Sequence, residues 1–144
     1  MEGLALGVPA IAVSFAGRVV GADSTLLEQH VEPLARLLKH ITSLPAFPLS
    51  TLLNINIPAI PAADVQGVKL TKLGRRVFSD SIAKMKDPWG RPIYWIGGGS
   101  VTWGSDAGTD IAAVNDGYIS VTPLHLDVTH QARLDDSELW WKAP

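Results

Sequence analysis

An α/β fold carrying a β-rich appendage follows from three patterns in the chain. Pro9 to Phe15 is apolar on both faces, as strands inside a parallel sheet are. Ala22 to Ile41 places Leu27, Val31, Leu34, Leu38 and Ile41 at helical spacing. From Val68 onward the pattern changes to short alternating runs broken by glycine, the mark of hairpins. A helix-covered sheet therefore comes first, with hairpins appended to it. On this basis residues 1–60 form part of an α/β core, 61–129 a β-rich hairpin region that returns to the core, and 130–144 a tail with a short helix.

The elements can be justified in order. Met1 to Leu6 reads as a helix with a stop at Gly7, yet no Ser, Thr, Asp or Asn precedes its start as a cap. At fewer than two turns it is far below the roughly 12 to 15 residues at which isolated helices become marginal, so it needs tertiary support. The strand at Pro9 to Phe15 calls for neighbours on both sides, and few candidate partners follow it. In the helical stretch, Thr25 and Glu28 have capping-box spacing, and Pro33 demands either a kink or a second helix restarting with Pro33 in its first turn. After the proline-bearing loop from Ser43 to Ser50, alternation puts Leu53, Ile55 and Ile57 on one face of a strand and Asn54 and Asn56 on the other, with Pro58 ending it.

The second region continues with a strand at Val68 to Leu73, a turn at Gly74, and Arg75 to Ser79 pairing back onto it. Pro92 to Ile96 is an aromatic-rich strand. Asp110 to Asn115 is expected to form a helix capped by Thr109 and stopped at Gly117, ahead of a strand from Tyr118 to Val121. A last helix is expected from Asp135 to Lys142, capped by Asp135 or Asp136.

Composition narrows the function classes. A chain of 144 residues that is 47% hydrophobic and 18% charged has the apolar surface to fold. Its net charge of -2 offers no attractive field to nucleic acid or to an anionic membrane, and Lys69, Lys72, Arg75 and Arg76 read as the solvated face of a strand and turn. The absence of cysteine removes disulfide and thiolate chemistry and is compatible with a reducing compartment. No apolar run reaches the roughly 18 residues of a membrane span, so a cytoplasmic protein is expected.

Three segments together carry a resemblance. They are Asp87-Pro88-Trp89-Gly90-Arg91-Pro92-Ile93-Tyr94-Trp95-Ile96-Gly97-Gly98, then Gly108-Thr109-Asp110, then Gly117-Tyr118-Ile119-Ser120-Val121-Thr122-Pro123-Leu124-His125-Leu126-Asp127. They closely resemble the C-terminal half of the SurE family, whose members are metal-dependent 5'/3'-nucleotidases. The opening from Met1 to Ser14 is similar to a stretch in the middle of that family's proteins, directly after a Ser-Gly-Thr-containing loop. The likeness runs to about Thr129, and Gly98 to Gly104 departs from the family.

The resemblance implies the C-terminal part of a Rossmann-type α/β domain with a hairpin-rich appendage. It also implies an enzyme that removes phosphate from nucleoside 5'- or 3'-monophosphates using a divalent cation, Mg or Mn. In the family, the cation is held by an aspartate pair after the first strand, a serine on a nearby loop, and an asparagine in a glycine-rich loop. All of these precede the point matching Met1. The expectation is thus that this chain begins halfway through the enzyme, binds no cation alone and is inactive alone. Its expected partners are further copies of itself or the missing N-terminal half, because the family's second region serves dimer and tetramer contacts. The competing expectation is a non-catalytic oligomerisation or complementation module.

Candidate residues were weighed against structural roles. Asp135-Asp136 lacks a leading apolar strand and a following glycine turn, so helix capping is the better reading than metal binding. His125, Asp127 and His130 include two metal-ligand types on one extended face, but nothing marks a fourth ligand, and hydrogen bonding that fixes the tail is preferred. Gly97-Gly98-Gly99 lacks the Gly-Lys-Ser/Thr of a phosphate loop. Trp89, Tyr94, Trp95 and Trp103 are read as cross-strand or subunit packing ahead of base stacking. Ser14 and Ser120 lack a nucleophile-elbow setting. Gly108, Thr109 and Asp110 are the candidates for the substrate's vicinity, since a glycine loop feeding a helix start presents backbone donors to an anion. The alternative there is that Thr109 caps the helix and Asp110 complements its dipole.

Overall fold

The computed structural model describes residues 1–17, 23–45, 50–78, 82–96, 101–103 and 106–135. Four strands form the main sheet in the order β1 (Ala10–Phe15), β2 (Leu52–Ile57), β8 (Ile119–Leu124), β3 (Val68–Leu70). β1 and β2 run parallel, β8 runs antiparallel to β2, and β3 runs parallel to β8. This mixed sheet is the expected α/β core.

β2 shows why its sequence folds this way. Ile55 and Ile57 are fully buried on one face, and Ile55 packs with Ile41, Ile119 and Val121 in the centre of the core. Leu37, Leu38, Leu53 and Val65 close around them. The opposite face is polar and carries side-chain hydrogen bonds of its own. Asn56 sits opposite Ser120 and donates from Nδ2 to its Oγ at 3.2 Å, while the buried hydroxyls of Thr71 and Thr122 are 2.7 Å apart. Ser120 is thus part of the sheet's hydrogen bonding.

α1 (Glu2–Ala5) has no side-chain cap, as its sequence requires, and closes at Gly7 through Gly7 N–H to Leu4 O and Val8 N–H to Gly3 O. The long helical stretch is two helices, α2 (Asp23–Gln29) and α3 (Val31–Ser43), so Pro33 falls in a first turn where its missing N–H costs nothing. Thr25 does not open a capping box, because α2 starts two residues before it. The junction is pinned by His30, which is 1% exposed, lies 2.8 Å from Ile60 O through Nε2, and meets the Phe15 ring at a tilt. β1 is less buried than its sequence suggests: Ala12, Val13 and Ser14 are exposed, and among the described residues only one of its edges is paired.

A 3₁₀ turn, η1 (Ala62–Asp64), leads into β3. Arg75 to Ser79 was expected to fold back on that strand, but β4 (Arg76–Phe78) pairs instead with β7 (Val101–Trp103). The chain beyond β3 continues along the segment before the next helix: Thr71 N–H binds Val121 O, Lys72 N–H binds Gly108 O, and Asp110 N–H binds Lys72 O. No turn forms at Gly74 because its N–H is held by Asp110 Oδ1 at 2.7 Å. A side chain there would also be forced to 2.4 Å from Ile111 Cδ1.

β5 (Ile82–Lys86) and β6 (Pro92–Ile96) make a true hairpin. Its turn is organised by Asp87, whose Oδ1 accepts from the N–H groups of Trp89 and Arg91 and whose Oδ2 accepts from Arg91 Nε. Ile82 and Tyr94 on one face, and Met85, Ile93 and Trp95 on the other, remain exposed.

α4 (Asp110–Asn115) ends as predicted at Gly117, whose φ of 81° favours glycine. Gly117 N–H to Val114 O and Tyr118 N–H to Ala113 O complete the reverse turn. β8 then runs three residues further than the expected strand, to Leu124. α5 (Gln131–Asp135) ends where the tail helix was expected to begin; the rest of that expected helix, Asp136 to Lys142, lies outside the described residues. No helix among the described residues is long and apolar enough to cross a membrane.

Candidate functional site

A cleft of about 380 Å³ opens beside the C-terminal ends of β1 and β2. Ala16 follows β1, Asn56 is near the end of β2, and Asp110, Ile111, Val114 and Asn115 come from α4, with Gly74 between them. The outer ends of parallel strands are where α/β sheets generally bind ligands. Asn56 arrives there because β2 alternates, which turns its asparagines away from the isoleucine core. Asn115 arrives from the last turn of α4.

Of the three residues expected near substrate, only Asp110 lines this cleft. Thr109 is 2% exposed and acts as the cap, accepting from Ala112 N–H at 3.3 Å and donating to Asp106 O at 2.8 Å. Gly108 contributes its carbonyl to Lys72 N–H at 3.1 Å. The helix start is largely engaged within the protein. Asp110 N–H goes to Lys72 O, Ile111 N–H to Asp110 Oδ1 and Ala112 N–H to Thr109 Oγ1, while Ala113 N–H to Thr109 O is the first bond of the helix itself. Three of the N–H groups that a first turn leaves orphaned are therefore taken.

Thr109→Ala is expected to lower stability by about 1 kcal/mol in urea unfolding, with Thr109→Ser retaining most of it. An unchanged midpoint for the alanine variant would mean that the observed cap is energetically silent.

The remaining candidates separate in space. Asp127 Oδ1 accepts from Thr129 N–H at 2.8 Å, and the Thr129 side chain and amide hold its carboxyl below the usual range, with His125 adding to the effect. That is the tail-fixing role. Lys69 lies 3.6 Å over the Tyr118 ring and 3.8 Å from Asp116, so it is occupied locally. Trp89 and Arg91 stack at 5.3 Å across the hairpin turn. Gly97 to Gly99 and the side chain of Trp103 lie outside the described residues. Among the described residues no three His, Asp or Glu side chains gather where one ion could be held.

Sequence reasoning missed Asn56 and Asn115 as cleft residues. The alternation around Asn54 and Asn56 carried a signal, since two carboxamides on one face of an otherwise aliphatic strand need polar surroundings. Asn115 had none, because its place depends on how α4 docks beside β2.

Comparison with known proteins places this geometry. The family model described as survival protein SurE matches residues 1–80, more than half of the chain. A protein named 5'-nucleotidase SurE from Gemmatimonas aurantiaca is 62% identical over all 144 residues, which cover 57% of that protein. Its namesake from Legionella pneumophila is 41% identical over 138 residues, 94% of this chain and 52% of its own length. The crystal structure of the SurE protein from Aquifex aeolicus matches with a TM-score of 0.69 and 33% identity over 96% of this chain and 54% of that one. The chain thus spans about half the length of these relatives. On the strength of the family match, the mixed α/β sheet and the fold shared with the Aquifex protein, the chain belongs to the SurE family.

Proposed function

We propose that this chain is the C-terminal half of a cytoplasmic nucleotidase that removes phosphate from nucleoside 5'- or 3'-monophosphates, and that the 144 residues alone are inactive. The observation that carries this reading is 62% identity, over the whole chain, to a protein named 5'-nucleotidase SurE. A divalent cation such as Mg or Mn would polarise the phosphoryl oxygens and activate water in the complete enzyme. Its ligands would come from the part of the protein that this chain does not match.

Two further features support a half that docks onto others. β1 is an apolar strand with an edge that is unpaired among the described residues, a surface well suited to receive more of the same sheet. The β5–β6 hairpin leaves large apolar side chains exposed on both faces, which suits contacts between copies of the chain. The net charge of -2 gives no support to a nucleic-acid or membrane partner.

The test is release of phosphate from AMP with Mn present, by the purified chain alone and after co-expression with the N-terminal half of a SurE protein. No release alone and restored release together are expected. Turnover by the chain alone would contradict the reading, and silence in both preparations would favour a non-catalytic assembly module.

A further inference from the structure

We infer that the cleft beside α4 holds the sugar of the substrate, with Asp110 and Asn56 accepting hydrogen bonds from ribose hydroxyls. This rests on the nucleotidase reading above and deepens it by assigning the substrate part that this half of the protein grips.

The polar lining is one carboxylate, Asp110, and two carboxamides, Asn56 and Asn115; among the described residues no Lys, Arg or His lines the cleft. A phosphate placed there would meet the like charge of Asp110 and, among the described residues, no cation. The N–H groups of Asp110, Ile111 and Ala112, which open α4, are already bound within the protein. Beside the carboxamide N–H groups, the cleft offers two fixed acceptors. Asp110 Oδ1 is spent on the N–H groups of Gly74 and Ile111, which fixes the carboxylate, and Oδ2 carries no hydrogen bond among the described residues. Asn56 gives Nδ2 to Ser120 Oγ, which fixes its amide and leaves Oδ1 without a partner among the described residues. A pre-oriented carboxylate oxygen and amide oxygen suit a ligand with neighbouring hydroxyl donors, as carboxylates do toward ribose in other α/β sites. Ala16, Ile111 and Val114 provide apolar wall for the carbon side of the ring.

The experiment is an NMR titration of the 144-residue chain with adenosine, 2',3'-dideoxyadenosine and inorganic phosphate, following the side-chain amides of Asn56 and Asn115. Adenosine is expected to shift both, with dideoxyadenosine weaker by about tenfold or more because each hydrogen bond to a charged group contributes on that order. Phosphate is expected to shift neither and not to compete. The Asp110→Asn variant keeps Oδ1 for Gly74 and Ile111 but replaces the free acceptor with a donor, so it should lose adenosine binding while its spectrum away from the cleft stays the same. The comparison between the two nucleosides needs no variant to fold. Equal binding of both, displacement by phosphate, or no response to adenosine would overturn the assignment. Adenosine binding without phosphate release in the complemented protein would sink the nucleotidase reading alone, whereas AMP hydrolysis without adenosine binding would sink only this assignment.

Discussion

Ile55→Ala is expected to lower the stability of the chain by about 3–4 kcal/mol, the largest effect of any single truncation in the sheet. Ile55 is 0% exposed and touches the core from the middle of β2, between the parallel strand β1 and the antiparallel strand β8. Removing three carbons there loses their burial and leaves a void bounded by Ile41 of α3 and Ile119 and Val121 of β8, which are held in a helix and a paired strand and cannot all close on it. Ile55→Val should cost only about 1 kcal/mol. Val128→Ala, at a position 94% exposed, should change stability by no more than about 0.5 kcal/mol. Urea unfolding of the three variants checks the order, and a cost for Ile55→Ala no greater than for Val128→Ala would show that the core does not pack as described. Because domains have only about 5–15 kcal/mol in hand, the alanine variant should also be the first to lose solubility on warming.

His30→Ala is expected to cost about 2–4 kcal/mol, for reasons that differ from those at Ile55. The imidazole is buried at the joint between α2 and α3, pairs with Ile60 O at 2.8 Å, and rests against Phe15 at the end of β1. Truncation opens a gap among groups from a helix joint, a strand end and a loop, and leaves the Ile60 carbonyl without this partner. His30→Gln keeps a donor of useful reach and should recover part of the loss. Thermal unfolding reads both variants. Equal loss in the two would assign the whole effect to packing, while no loss in either would remove His30 from the fold's supports.

The parts of this fold that could be read directly from the chain are those governed by local chemistry. Thr109 and Gly117 bracket α4 as written, since a hydroxyl cap and a residue tolerant of positive φ are both local demands. Pro33 separates two helices for the same kind of reason. The readings that failed concern pairing at a distance. Arg75 to Phe78 follows a glycine and alternates, so a hairpin with β3 was reasonable, but Asp110 holds the Gly74 N–H from 36 residues away and sends the chain onward to pair with β7. At the start of α4 the preferred reading, a Thr109 cap, is what forms, but nothing in the sequence signalled that Lys72, distant along the chain, contributes the carbonyl that takes the Asp110 N–H. The cleft required the docking of α4 beside β2, and only one of its two asparagines lay in a pattern visible beforehand.

On the proposed reading these residues provide scaffold, cleft and docking surface, while the ligands for the catalytic cation come from elsewhere in the complete protein. Calorimetric titration of the purified 144-residue chain with Mn tests it most directly. No site tighter than about 1 mM is expected, the range of weak carboxylate contacts. One equivalent of Mn bound at micromolar concentration, and lost on substituting carboxylates or histidines of this chain, would contradict it.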